Sequence, residues 1–282
     1  YVGIALGGGV ALFVYGIYGF GDALAYISTL LLINLMFLLF FVYDPEANPL
    51  AERQTHVFRK LVVSMTSFVR EVYDSFWKSG TGPMVGVLFA LLPTGAIALA
   101  YATLGTLQVD YGLTENQIAE LRIYNTVASA LGCVCGGLMG DRFGAKRIVA
   151  MAYGLTAVPT ALLGYQIAQL GLQSVPIGTF YGLIIAHGVV YGMAFGVRNA
   201  IFMGMTNPAV AATQFTAFMG MSNLAISVGN YWQGVVAERF DYSTVLYFDA
   251  LIAVLVILVV PFLRKREAPV APPTIELAPV KT

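Results

Sequence analysis

Charge is scarce in this chain, and so are the residues that carry acid–base or metal chemistry. Only 11% of its 282 residues are Asp, Glu, Lys or Arg, against about 25% in a soluble domain. That deficit excludes an ordinary soluble fold. The 15 basic and 15 acidic residues cancel, so nucleic acid is not an expected partner. Histidine and cysteine occur twice each. Cys133 and Cys135 lie two apart in an apolar helical run and point to roughly opposite sides, so they suit neither a mutual disulfide nor a metal pair. Both read as small packing residues. No cofactor, metal or covalent chemistry is expected. Gly7, Gly8 and Gly9 sit inside an apolar run with no following Lys, so they are not a phosphate-binding loop.

What the chain has is apolar length: 58% of it is hydrophobic. A membrane span needs about 20 mostly apolar residues. Eight segments qualify, at about 1–18, 24–43, 83–105, 117–140, 148–170, 175–197, 213–237 and 243–263. The expectation is an all-α, polytopic membrane helix bundle. Between the second and third segments, residues 44–82 form a long connector. In it Val57, Phe58, Leu61, Val62, Met65, Phe68, Val69, Val72 and Phe76 recur at helical spacing, with Arg53, Arg59, Lys60, Arg70 and Lys78 between them. That pattern predicts an amphipathic helix, lying on the membrane surface or packed under the bundle. The tail 264–282 opens with Arg-Lys-Arg-Glu, turns Pro-rich, and is expected to be disordered. If the eight spans alternate, nearly every Lys and Arg falls on one side, with Arg122 and Arg239 on or near the other. The connector and tail are therefore cytoplasmic. The chain opens on Tyr1 with no basic run before its first apolar segment, unlike a signal peptide, and it reads as a chain whose true start lies upstream.

The most specific pattern is Gly136 to Arg147, GGLMGDRFGAKR, set between two long apolar runs. Gly132, Gly136 and Gly140 are four apart, share one helix face and admit a neighbouring backbone. Gly144 permits a sharp turn. Arg142, Lys146 and Arg147 hold the turn in the cytoplasm. Gly137, Asp141, Arg142, Gly144, Lys146 and Arg147 together resemble the loop signature of the major facilitator superfamily. That resemblance implies a twelve-helix transporter fold, of which the eight segments would be helices five to twelve, the first four being absent. Residues 1–43 would end the N-terminal bundle, 44–82 would be the cytoplasmic connector, and 83–263 a six-helix C-terminal bundle. The turn would be a latch between bundles, with Asp141 close to Arg142 and to the cytoplasmic end of the first segment, near Tyr1. A narrower resemblance, to the anhydromuropeptide permease and acetyl-coenzyme A transporter branch, rests on Ala212, Thr213, Gln214, Phe215, Ser222, Gly234 and Glu238. The chain departs from that branch at Ile226, where an Arg is common, and at Pro93 and Ala96, where Lys and Asp are common.

Polar faces inside the spans point to a solute path. At 100° per residue, Thr216, Gly220, Asn223, Ser227, Asn230 and Gly234 fall within roughly 80° of arc. Arg122, Asn125, Ser129, Gly132, Gly136 and Gly140 share another face. In the sixth segment Gly178, Gly182, Gly188, Gly192 and Gly196 form a close-packing side, opposite His187, Tyr191 and Arg198. Arg122, Asn125, His187, Tyr191, Asn223 and Asn230 are the candidate cavity residues; His187 and Asp249 are the candidate proton carriers. The expected function is secondary active transport of a small organic solute by alternating access, with proton coupling and an anhydromuropeptide-permease-like character. The expected setting is a monomeric multi-pass protein of a bacterial inner (plasma) membrane, not an enzyme. A non-transporting receptor or scaffold on the same fold is the rival reading. A lipid-acting membrane enzyme ranks lower, because it would need His, Asp or Glu clustered near an interface.

Overall fold

The computed structural model describes residues 5–41, 70, 73, 76–77, 81–206 and 211–263. The described secondary structure is entirely helical. In chain order the α-helices are α1 (Ala11–Tyr18, entered through a π-helical Ala5–Val10), α2 (Phe20–Phe41), α3 (Thr81–Ala90), α4 (Ala102–Tyr111), α5 (Glu115–Phe143), α6 (Ala145–Leu170), α7 (Ile177–Met205), α8 (Ala211–Arg239) and α9 (Tyr242–Val256, prolonged by a 3₁₀ segment Ile257–Phe262). By length and apolarity five can cross a bilayer: α2, α5, α6, α7 and α9 with its extension. At 29 residues α8 is long enough, but its polar stripe lowers its hydropathy. Tyr1, the tail 264–282 and most of the 44–82 connector lie outside the described residues. At the connector's end Phe76 is buried edge-on against Phe218 of α8, ring centroids 5.5 Å apart.

Local sequence explains most helix ends. Thr114 and Gln117 form a reciprocal capping box at the start of α5. The Asp241 carboxylate accepts the Thr244 N–H at 2.7 Å and starts α9. Gly144, the single residue between α5 and α6, has φ +95°. L side chains rarely adopt that conformation, so the turn requires glycine.

The bundle is organised around the contact between α5 and α7. A methyl group added at Gly132 would collide with the Val189 carbonyl oxygen, and one at Gly192 with the Ser129 carbonyl oxygen. At Gly136 it would lie 2.6 Å from the Met193 carbonyl oxygen, and at Gly196 2.8 Å from Cys133 Sγ. Residue numbers rise together across these contacts, so the two helices run parallel, with α6 returning between them. Small residues permit this backbone approach, and packing drives helix association where lipid is as apolar as leucine. Gly178 and Gly182 take no part: nothing lies within 4 Å of a methyl placed on either. The contact drifts around α7, so the glycine side expected from the helical wheel divides.

α1 packs on the first half of α5. A methyl on Gly9 would lie 2.6 Å from Ile123 Cγ1, and one on Gly16 2.8 Å from Asn116 Oδ1. α2 buries only Ala23 and turns its large apolar side chains outward.

The expected span at 83–105 is not one helix. α3 stops at Ala90, α4 starts at Ala102, and Leu91–Tyr101 between them is unwound. Pro93 has no N–H to give a helix, and Gly95 has φ +74°. The segment nevertheless lies inside: Thr94 to Leu99 are all buried. Arg198 of α7, 3% exposed, reaches its first half. Its Nη2 donates to the carbonyl oxygens of Phe89, Ala90 and Leu92 at 3.1, 3.2 and 3.0 Å, and its Nη1 to Thr94 Oγ1. The guanidinium lies over the rings of Phe89 and Phe202, 5.4 and 5.0 Å from their centroids. It thus caps the C-terminus of α3, where unpaired carbonyls and the helix dipole favour a cation.

Two outcomes test this packing. Gly192→Leu should lower the melting temperature of the purified protein by overpacking, a cost of about 1–3 kcal/mol, while Gly178→Ala should be neutral. Arg198→Leu should destabilise more strongly, since each buried acceptor left without a donor costs about 1–3 kcal/mol. Equal melting of the Gly192→Leu and Gly178→Ala proteins would contradict the α5–α7 contact.

Candidate functional site

The unwound segment, α4, α5 and α7 enclose a cavity of about 620 Å³. Leu99 to Ala102 and Gln108 wall one side; Arg122, Asn125, Thr126 and Ser129 of α5 another; His187, Gly188, Tyr191 and Phe195 of α7 a third. Pockets of about 300–1,000 Å³ enclose small organic ligands. Arg122 is its one formally charged lining residue, and its side chain is exposed. The rest are apolar or neutral hydrogen-bonding groups. The Tyr101 and Tyr191 hydroxyls meet at 2.6 Å, and the His187 ring stacks on Tyr191 with centroids 5.7 Å apart.

Helix faces account for this convergence. Arg122, Asn125 and Ser129 sit on successive turns of α5, His187 and Tyr191 on successive turns of α7. Gly188 makes the room: a methyl there would collide with Asn125 Oδ1. His187 is fully buried, and its Nε2 lies 3.0 Å from the Ala96 carbonyl oxygen of the unwound segment. A carbonyl oxygen only accepts, so Nε2 carries the proton and Nδ1 is left as an acceptor. That Nδ1 and Asn125 Oδ1 are both buried without a partner.

Four of the six cavity residues expected from sequence are thus brought together: Arg122, Asn125, His187 and Tyr191. Asn223 and Asn230 are not among the lining residues. Both are on α8, Asn223 exposed and Asn230 half-buried with its Oδ1 unpartnered. Their stripe, with Thr216, Gly220, Ser227 and Gly234, is largely exposed.

Asp249 also stands outside the large cavity. It borders a second, smaller one of about 280 Å³, lined by Leu91, Pro93, Ile97, residues of α8 and Ile252. Its carboxylate, 1% exposed, accepts the Ala98 N–H at 2.8 Å and the Gln233 side-chain N–H at 2.9 Å. The Gln233 carbonyl oxygen accepts from Thr103 Oγ1 at 2.7 Å. Thr156 Oγ1 takes the Ala96 N–H at 2.9 Å. Gln233, Thr103, Thr94, Thr156 and the capping role of Arg198 escaped the sequence reading. Pro93 and Gly95, two apart inside an apolar run, were the signal of a break that these side chains serve.

At the loop motif, Asp141, Arg142, Gly144 and Arg147 are exposed and Lys146 is half-buried. Arg142 lies over the Phe143 ring, 5.5 Å from its centroid. Nothing lies within 4 Å of a methyl placed on Gly137, whereas Gly136 and Gly140 face α7. Tyr1, the expected neighbour of Asp141, lies outside the described residues.

Residues 84–281 match the Major Facilitator Superfamily. No solved structure matches this chain. The match spans more than half the sequence and contains the cavity, the unwound segment and the loop motif: the chain belongs to the Major Facilitator Superfamily, a family of multi-pass membrane transporters, and has its all-helical fold.

Proposed function

We propose that this protein is a secondary active transporter that moves a small, negatively charged organic solute by alternating access, with the 620 Å³ cavity as its solute site. The observation that carries the reading is the make-up of that cavity. It combines one cation, Arg122, with neutral hydrogen-bonding groups. Polar side chains at membrane depth are costly and mark solute or ion paths. An anhydromuropeptide-like solute is the finer form of this proposal and rests on the resemblance at Ala212, Thr213, Gln214, Phe215, Ser222, Gly234 and Glu238. Asn223 and Asn230 are proposed to meet the solute on the open face of α8, outside the described cavity. The turn at Gly137, Asp141, Arg142, Gly144, Lys146 and Arg147 is proposed as the cytoplasmic latch between bundles, with residues 1–43 in one bundle and 83–263 in the other. The protein would work as a monomer in a bacterial inner membrane.

Proton coupling through His187 or Asp249 is a second reading, supported by the burial of both inside the helix bundle. The first is at the large cavity, and the second is bonded to the segment that walls it.

Glucuronate, glucose and glucosamine serve as anionic, neutral and cationic probes. Glucuronate should raise the melting temperature of the purified protein most and glucosamine least, since a ligand stabilises the fold it binds. Arg122→Gln should erase the advantage of glucuronate over glucose. Equal stabilisation by glucosamine would reject the anionic solute class. In proteoliposomes, Asn230→Leu should slow solute counterflow more than Val228→Leu. If protons are coupled at Asp249, Asp249→Asn should abolish accumulation driven by a pH gradient and leave counterflow intact. Accumulation unchanged in that variant would exclude Asp249 as the carrier.

A further inference from the structure

We infer that Asp249 and Gln233 are positioning residues for the large cavity: with Thr103 they form a buried hydrogen-bonded strut that fixes its unwound wall. The inference rests on the reading of that cavity as the solute site. Neither residue lines the cavity, and their effect passes through the backbone. The strut grips the wall at two points. Asp249 holds the Ala98 N–H at 2.8 Å and Gln233 holds Thr103 Oγ1 at 2.7 Å. Between those points lie Leu99 to Ala102, the stretch that walls the cavity. It carries Tyr101, whose hydroxyl meets Tyr191 on the opposite wall.

The strut is closed to solvent: Gln233 is 0%, Asp249 1% and Thr103 6% exposed. Its bonds run in one direction. The Thr103 hydroxyl donates to the Gln233 oxygen, and the Gln233 amide donates to the Asp249 carboxylate. Two residues before Ala98, His187 and Thr156 hold the two polar groups of Ala96. The wall is therefore fixed from α6, α7, α8 and α9 at once, and lacks a helical ladder of its own.

The chemistry separates position from charge. In the Asp249→Asn protein the side-chain oxygen still accepts the Ala98 N–H. Turning the Gln233 amide over lets it accept the new N–H and donate to Thr103 Oγ1. The strut survives with its direction reversed and its charge gone. Gln233→Leu and Asp249→Leu break it, and Thr103→Val removes one end with little change of volume.

The test reads the wall directly, without a solute. Ala100 lines the cavity and is half-buried. The full chain carrying Ala100→Cys, with Cys133→Ala and Cys135→Ala, is labelled in membranes with a maleimide and the rate is followed. Gln233→Leu, Asp249→Leu and Thr103→Val should each speed labelling by about tenfold, as expected for losing one buried hydrogen bond to the segment. Asp249→Asn should stay within about twofold of the parent by the same reasoning. Where a leucine variant does not fold, Thr103→Val decides. A parent-like rate in Thr103→Val or Gln233→Leu overturns the strut. So does an Asp249→Asn rate matching that of Asp249→Leu, which would assign the effect to charge. A protein with the expected labelling pattern that carries no solute refutes the transport reading alone; one that carries solute without the pattern refutes the strut alone.

Discussion

A peptide group in the interior of a bilayer has no water to bond with, and each one left unpaired costs several kcal/mol. The same constraint, which holds wherever protein excludes water, governs this structure at Leu91–Tyr101, where a segment buried over Thr94–Leu99 gives up its helix. The surrounding helices then place rare polar side chains where the freed groups point. Arg198 meets the carbonyls at the end of α3, Thr156 and His187 the two sides of Ala96, and Asp249 the Ala98 N–H. Thr156, His187, Arg198 and Asp249, each 3% exposed or less, are all committed to this one stretch. An unhelical backbone is tolerated at such depth where protein encloses it or a cavity adjoins it, and here both hold.

The α5–α7 contact sets the opposite wall. Gly132, Gly136, Gly188, Gly192 and Gly196 bring two parallel helices to backbone contact. That closeness puts Asn125 against Gly188 and faces Arg122 and Ser129 toward His187 and Tyr191. Close packing on one side and an unwound segment on the other leave a space that neither produces alone. The cavity is a consequence of where the chain is small and where it is broken.

Features that depend on one helix at a time were legible in the sequence. The glycine spacing in GGLMGDRFGAKR anticipated both the α5 face and the turn at Gly144. The faces shared by Arg122 with Asn125, and by His187 with Tyr191, converge because α5 and α7 are neighbours. The Asn223–Asn230 stripe was likewise a true face of α8, but a helical wheel says nothing of what stands opposite it, and in the described structure it is open. The break in the third segment was hidden because average hydropathy across 83–105 does not register the missing N–H of Pro93 or the positive φ of Gly95. Gln233 and Asp249 were unreadable as a pair for a different reason. They lie on different helices; Asp249 takes a backbone amide, and Gln233 joins it to Thr103, a linkage that leaves no mark in the pattern of any one helix.

Buried side chains hold the peptide groups of the unwound segment, and hydrogen exchange resolved to individual amides of the folded protein in lipid reads that hold. Ala96 and Ala98, bonded to Thr156 and Asp249, should exchange as slowly as interior amides of α5 and α7, despite lacking a helix around them. Exchange at Ala96 and Ala98 as fast as in the exposed turn at Gly144 would contradict that hold.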